Sequence, residues 1–268
     1  MSASMRPLVA MPLAARAAMR GVLADIDDTL STRGRITAQA YAAMESLRAA
    51  GLLLIPITGR PAGWCDHIAR MWPVDAVVGE NGALYMLRDQ GAGRLLKRYV
   101  ATDAERAANR LRLAEIAEAI LREVPGAALA SDQPYRESDL AIDFCEDVPR
   151  LPDDAIDRII AMMRAAGMTA KMSSIHVNGW FGAYDKLAMT RTLLRDEFGI
   201  DVDAERDRFI FVGDSPNDAP MFQHFPYSVG VANVRAFVGR IATPPVYVTE
   251  GECGAGFAEL AAHLLAAR

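Results

Sequence analysis

Gly21-Val22-Leu23-Ala24-Asp25-Ile26-Asp27-Asp28-Thr29 sets a short apolar run directly before a cluster of aspartates. The run reads as a buried strand, and strand side chains alternate with period 2. If the strand continues through Asp27, Asp25 and Asp27 leave the same face. One carboxylate can then attack an electrophile while the other handles protons. The competing reading is an Asp-rich turn that closes a strand, because Asp is a common turn former. The pentad alone does not choose between them.

Three further clusters bear on the choice. Leu52-Leu53-Leu54-Ile55-Pro56-Ile57 leads into Thr58-Gly59-Arg60, and Arg208-Phe209-Ile210-Phe211-Val212 leads into Gly213-Asp214-Ser215-Pro216-Asn217-Asp218. Lys186 stands in Tyr184-Asp185-Lys186 at the start of a helical stretch. In an open α/β sheet, ligands bind beyond the carboxyl ends of the parallel strands. The strand-end clusters fall where such a site forms, and Lys186 can reach it from its helix start.

The order acid pair, Thr, Lys, acid pair resembles the four motifs of the haloacid dehalogenase-like (HAD) phosphohydrolases, and the resemblance covers nearly the whole chain from Gly21. It implies an α/β fold, a Rossmann-like doubly wound parallel sheet with an inserted α+β cap. It also implies hydrolysis in two displacements, with Asp25 as the nucleophile that forms an aspartyl-phosphate. Asp27 would protonate the leaving oxygen, then deprotonate the water that cleaves the intermediate, help typically worth ~10²–10⁴-fold. Thr58 would donate its hydroxyl to a phosphoryl oxygen, with Gly59, Arg60 and Asn81 alongside in the substrate-binding set. Lys186 would neutralise charge on Asp25 and on the transferring group. Thr58 also reads as a helix N-cap before Arg60-Pro61, and both readings can hold together. Asp28 reads as a turn residue.

Asp25, Asp27, Asp214 and Asp218 together would repel a phosphate dianion, so a site of this composition implies a cation. All-oxygen ligands suit Mg²⁺, which bridges carboxylates to substrate phosphate. By the resemblance, Asp25 and Asp214 would bind it through carboxylates and Asp27 through its backbone carbonyl. Asn217 and Asp218 would orient the metal's waters or Lys186.

At 268 residues the chain has room for two domains, or for one core with a large insertion. A formal net charge of −5 argues against a nucleic-acid-binding surface, which needs a basic patch. No apolar stretch approaches the ~20 residues of a membrane span. Cys65, Cys145 and Cys253 lack metal-ligand spacing and read as thiols in a reducing compartment. Residues 1–20 are rich in Ala and Met, but Pro12 and Arg16 break the apolar run. They read as a cytoplasmic lead-in able to pack as a short helix, not as an export signal.

Along the chain, Thr37 is a fair N-cap for a helix carrying Ala40, Tyr41, Met44 and Leu47, which Gly51 closes. A strand over 52–57, a helix over 61–71 and a strand over 75–79 follow, running into Glu80-Asn81-Gly82-Ala83. From 84 to 178 the pattern changes to short strands near 83–87, 94–100, 127–131, 139–145 and 168–178, with long helices over 103–124 and 152–166. The core resumes with a helix over 185–198, a strand over 208–212, a helix from Pro216, a strand over 229–231 and a helix over 254–266. The ~105 residues between Glu80 and Lys186 are too many for an ordinary crossover. The expected division is a core of 1–83 and 179–268 with a cap of 84–178.

Glu80-Asn81-Gly82 resembles the passage from core to cap in subfamily IIB, whose αββ-type cap lies between the Thr and Lys motifs and which includes sugar-phosphate phosphatases. That implies a small phosphorylated metabolite, a sugar phosphate, as substrate of a monomer or homodimer. Gly179-Trp180…Tyr184-Asp185-Lys186 also resembles phosphomannomutases, so a phosphohexomutase-like enzyme is the alternative, although Leu187 departs from the small residue common after the Lys. A non-catalytic sugar-phosphate sensor is a further alternative, against which the intact Asp25, Asp27, Thr58, Lys186 and Asp214 argue. Signalling receiver domains group similar residues around Mg²⁺ but carry no large insertion. In the cap, Arg136 is expected to hold a second anionic group of the substrate, and Lys171 or His176 hydroxyls. Each also reads as an exposed loop Arg, a strand-edge Lys and a satisfied His. Trp64, Cys65 and His67 read as packing residues. Glycines at both junctions make the cap a mobile lid in this reading.

Overall fold

The computed structural model describes residues 5–89, 91 and 93–268; the first four residues of the lead-in lie outside them. The N-terminal part contains β1 (Arg6–Pro7), α1 (Leu13–Ala18), β2 (Gly21–Ala24), β3 (Ser31–Thr32), β4 (Arg35–Ile36), α2 (Ala38–Ala49), β5 (Leu53–Pro56), α3 (Ala62–Met71) and β6 (Val77–Gly79). The middle holds β7 (Leu84–Arg88), β8 (Leu95–Tyr99), α4 (Asp103–Glu123), β9 (Ala128–Leu129), β10 (Asp139–Asp143), α5 (Asp153–Ala165), β11 (Thr169–Met172) and β12 (His176–Trp180). The chain ends with α6 (Lys186–Phe198), β13 (Phe209–Gly213), α7 (Ala219–His224), β14 (Val229–Gly230), β15 (Tyr247–Val248) and α8 (Cys253–Leu265). No helix among the described residues is long and apolar enough to cross a membrane.

Six parallel strands make the central sheet, in the order β1-β15-β14-β13-β2-β5. A bridge between Ile57 and Val78 continues the parallel pairing towards β6. β2 and β13 are buried along their whole length, as a parallel sheet covered on both faces requires. Val22, Ala24, Ile210 and Val212 pack into a cluster with α2 and α8. Leu23, Phe209 and Phe211 point the other way, into a cluster with α6 and α7. This is the period-2 alternation with both faces apolar. The α2 helix starts where Thr37 accepts the Ala40 amide, and Gly51 closes it in the left-handed region at φ +78°.

Register fixes the functional edge. Ala24 pairs with Val212 on one side and Pro56 on the other, so the carboxyl ends of β2, β5 and β13 lie level. One sequence expectation is corrected here. β2 ends at Ala24 and does not continue to Asp27, because the Ile26 carbonyl accepts the amides of Thr29, Leu30 and Ser31 and Asp28 adopts φ 54°. Asp27 therefore lies in a turn beyond the strand end and does not share a strand face with Asp25.

The inserted segment also differs from its expected layout. β7 pairs antiparallel with β6 and β8 with β7, and Leu84 and Met86 join the core cluster. The hairpin thus extends the core, although the sequence places it in the cap. A separate four-stranded sheet, β11-β12-β10-β9, carries α4 and α5 on one face over its own apolar cluster. The single strand expected over 168–178 is a hairpin of β11 and β12. The Ser173 amide donates to the His176 carbonyl and the His176 amide to Ser173 Oγ, so a serine closes the turn without an Asn-Gly signal. We propose that the cap proper begins at α4 and ends with β12. β1 and β15, two residues each, are too short for periodicity to disclose.

Gly82 sits at φ +105°, and a Cβ there would run into the Asp185 carbonyl, just before Lys186. Gly82→Ala should therefore destabilise the protein by roughly 2–4 kcal/mol, combining backbone strain with overpacking. Thermal unfolding would measure this, and an unchanged melting temperature would contradict the close approach.

Candidate active site

The ends of β2, β5 and β13 converge on a buried charge cluster. Lys186 opens α6 and extends its ammonium to Asp25 Oδ1 at 2.6 Å and Asp218 Oδ1 at 2.7 Å. Its helix start is fixed by Asp185, which accepts the Ala188 amide at 2.7 Å. Oδ2 of Asp218 accepts the amides of Asp214 and Ser215. This carboxylate thus shapes the β13 loop while holding the lysine. A Cβ on Gly213 would collide with it, so glycine there admits the approach. Asp214 is fully buried and accepts from Thr29 Oγ1 at 3.2 Å and Asn233 Nδ2 at 3.3 Å.

Asp25, Asp214 and Asp218 each offer a carboxylate oxygen within 4.8 Å of the others. Three buried carboxylates face one ammonium. Burial pushes Asp25 up to about 8, with Lys186 opposing and Asp218 and Asp27 adding to the rise. Burial likewise raises Asp214 well above the usual carboxylate range, helped by Asp25 and Asp218. Burial works against the charge of Lys186, but Asp218 and Asp25 outweigh it and raise its pKa. An all-oxygen donor set with excess negative charge fits a hard divalent cation, so the acidic triad can hold a metal.

Thr58 is buried at the end of β5, its amide on the Val78 carbonyl and its Oγ1 accepting the Arg60 amide at 3.0 Å. It is not the N-cap of α3. Glu80 serves that helix from a distance, accepting the Ala62 amide at 2.8 Å. Asn81, at φ 55°, bonds through its amide to the Thr58 carbonyl, and its Nδ2 is buried without a hydrogen-bond partner among the described residues. Its side-chain amide lies against Gly59, where a Cβ would stand 3.2 Å from Nδ2. Asn217 Nδ2 reaches Asn81 Oδ1 at 3.5 Å.

Asp27 faces a different partner. Arg60 grips it through Nε and Nη2, at 2.9 and 2.8 Å, and lies over the Trp64 ring at 4.4 Å. The same guanidinium binds Asp132 at 3.1 Å and Glu146 at 2.6 Å, both from the inserted segment. His176 Nε2 stands 2.8 Å from Glu146. Burial would raise the Glu146 pKa, but His176 and Arg60 hold it down at about 2. Arg60, expected to bind substrate, is occupied by carboxylates on every side.

Arg136 is corrected outright. Its side chain is fully buried, not exposed in a loop, and binds Asp132, Asp139 and the Gly59 carbonyl. Beside it the buried Glu80 accepts the amides of Glu137 and Ser138, and burial pushes its pKa up to about 7. Arg136 thus ties the inserted segment to the Thr58 loop and has no free face for a substrate. Thr29, Asn233, Glu80, Asp132 and Glu146 are residues the sequence reading passed over. Thr29 closes the aspartate pentad, and Asn233 follows the end of a strand. Glu80 opens the Glu80-Asn81-Gly82 stretch, and nothing local marks Asp132 or Glu146.

A family model of haloacid dehalogenase-like hydrolases matches residues 22–112 and 196–254, and the chain belongs to that family. Solved structures share the fold across nearly the whole chain. The C-terminal domain of C. albicans trehalose-6-phosphate phosphatase is 12% identical, covering 95% of this chain and 96% of its own, with a TM-score of 0.67. Sucrose-phosphatase from Synechocystis, solved with sucrose and phosphate, is 17% identical, covering 92% and 98%, with a TM-score of 0.62. The subclass IIB sugar phosphatase BT4131 is 15% identical, covering 93% and 100%, with a TM-score of 0.59. No curated protein matches the chain by sequence.

Two outcomes follow from this electrostatic arrangement. Arg136→Ala leaves Asp139 buried without its cation and Asp132 with Arg60 alone, and should cost about 3–5 kcal/mol of stability, read by denaturant unfolding. A variant of native stability would show that the latch is dispensable. The raised pKa of Asp25 makes the metal-free folded state hold a proton that the unfolded chain releases near pH 4. Its contribution to stability is therefore present at low pH and lost as pH rises towards 8. A divalent cation must displace that proton, so the gain in melting temperature on adding the cation should grow from pH 6 to pH 8. A gain independent of pH would contradict binding at Asp25.

Proposed function

We propose that this hydrolase is a Mg²⁺-dependent phosphatase that acts on a small phosphorylated metabolite, a sugar phosphate, through an aspartyl-phosphate on Asp25. The observation that carries the reading is the buried Asp25 carboxylate at the end of the central strand, bonded to Lys186 and grouped with Asp214 and Asp218. Mg²⁺, held by the carboxylates of Asp25 and Asp214 and the Asp27 carbonyl, would neutralise phosphoryl charge. Lys186 opposes the effect of burial on Asp25 and aims its carboxylate, and Asp218 keeps Lys186 in place. Thr58 Oγ and Asn81 Nδ2 supply hydrogen bonds to phosphoryl oxygens at the head of β5, donors fixed before the substrate arrives.

Asp25 attacks phosphorus, the ester oxygen leaves with a proton from Asp27, and water attacks the acyl phosphate as Asp27 takes its proton. Arg60 grips the Asp27 carboxylate through Nε and Nη2. The first step requires that pair to loosen. Sucrose-phosphatase and trehalose-6-phosphate phosphatase share the fold, which supports a sugar phosphate as the substrate class. The cap, from α4 to β12, covers the site and selects the leaving group, while the core residues meet only the phosphoryl group.

Asp25→Asn should abolish hydrolysis of p-nitrophenyl phosphate, and EDTA should do so reversibly, with activity returning on Mg²⁺ addition. Asp27→Asn should slow alkyl phosphates more than aryl ones, because an activated leaving group needs little protonation. Full activity of Asp25→Asn would sink the mechanism. Equal losses on both ester types would remove Asp27 as the acid.

A further inference from the structure

The β11-β12-β10 sheet has two chemically different faces. Ala170, Met172, Val177, Leu140 and Ile142 pack into the apolar cluster with α4 and α5. By strand alternation Lys171, His176, Asn178 and Asp139 occupy the opposite face, and Lys171 pairs in register with Asn178. That face looks onto the active site. His176 meets Glu146, which holds Arg60 beside Asp27. Asn178 meets Asp139, which holds Arg136 against the Gly59 carbonyl. β11 itself lies against the Pro216–Asp218 turn.

The other cations around the site are committed. Lys186 is shared by Asp25 and Asp218, Arg60 by Asp27, Asp132 and Glu146, and Arg136 by Asp132 and Asp139. Lys171 is partly buried on the face turned to the site and has no ion pair among the described residues. Composition adds an independent pointer. The chain has 29 basic residues, of which only Lys97, Lys171 and Lys186 are lysine. Lys97 pairs with Asp66 on the surface and Lys186 serves the active site. In a chain that takes its positive charge almost wholly from arginine, a lysine here supplies a compact ammonium where a planar fork would be bulkier.

We propose that Lys171 binds a second anionic group on the leaving group. The preferred substrate is then a phosphate monoester that also carries a carboxylate or a second phosphate, and not a neutral sugar phosphate. This inference rests on the phosphatase reading above. An uncompensated cation under a closed lid lowers the cost of burying such an anion and leaves a neutral hydroxyl group with less to gain.

The test measures kcat and KM of the full-length chain with Mg²⁺ on p-nitrophenyl phosphate, glucose 6-phosphate, 3-phosphoglycerate and fructose 1,6-bisphosphate. The unmodified protein should favour one of the last two over glucose 6-phosphate, and which one it favours identifies the anion as carboxylate or phosphate. Lys171→Met should reduce that preference about 10- to 100-fold, through KM, as expected for one charge-assisted hydrogen bond. Misfolding would depress all four substrates alike and cancels in the ratio. An unmoved ratio, or a preference for glucose 6-phosphate in the unmodified protein, overturns the proposal. Absence of turnover on every substrate, p-nitrophenyl phosphate included, overturns the phosphatase reading itself.

Discussion

The bond from Lys186 to Asp25 and Asp218 is the constraint around which the rest is arranged. Three carboxylates are buried at the ends of parallel strands, where low polarity makes each charge costly unless it is paired. One ammonium meets two of them, and the backbone amides of Asp214 and Ser215 meet the free oxygen of Asp218. The cluster still carries more negative charge than the lysine offsets, which the raised pKa values of Asp25 and Asp214 express. Such a site is stable while protonated or while it holds a cation. Stability and cation binding are therefore the same electrostatic problem.

A second set of charges joins the two layers. Arg60 takes carboxylates from the inserted segment, Glu80 takes its backbone amides, and Arg136, within that segment, reaches back to the Gly59 carbonyl. All three sit on or beside the loops that follow β5 and β6, next to Thr58 and Asn81. The segment around 132–139 is consequently fastened to the active-site loops and is not a free edge of a lid. Arg60 holds Glu146 and Asp132 of the inserted segment, and the Asp27 ion pair lies on the same guanidinium. Asp27 and the inserted segment are linked through one side chain.

The sequence disclosed residues whose neighbours in the chain already restrict them. Asp25, Thr58, Lys186 and Asp214 each stand at the end of an apolar run or at a helix start, so their meeting follows from parallel pairing. The core strands and the long helices were legible for the same reason: burial on both faces, or on one stripe, leaves a periodic mark. The β11–β12 turn left none, since Ser173 closes it with its own hydroxyl and amide. The β7–β8 hairpin has an ordinary strand pattern, and only pairing with β6 reveals that it belongs to the core.

What the sequence determined by itself was the family, the parallel core and the residues of the charge cluster, because local pattern and strand order suffice for these. Tertiary structure alone decided the partners of the arginines. A guanidinium at the end of a long side chain can bind substrate, a surface carboxylate or a buried one, and the sequence around Arg60 and Arg136 is the same in each case. Only the folded arrangement brings Asp27, Asp132 and Glu146 to Arg60, across as many as 86 positions of chain, and the Gly59 carbonyl to Arg136 across 77. Burial then turns those contacts from optional into obligatory.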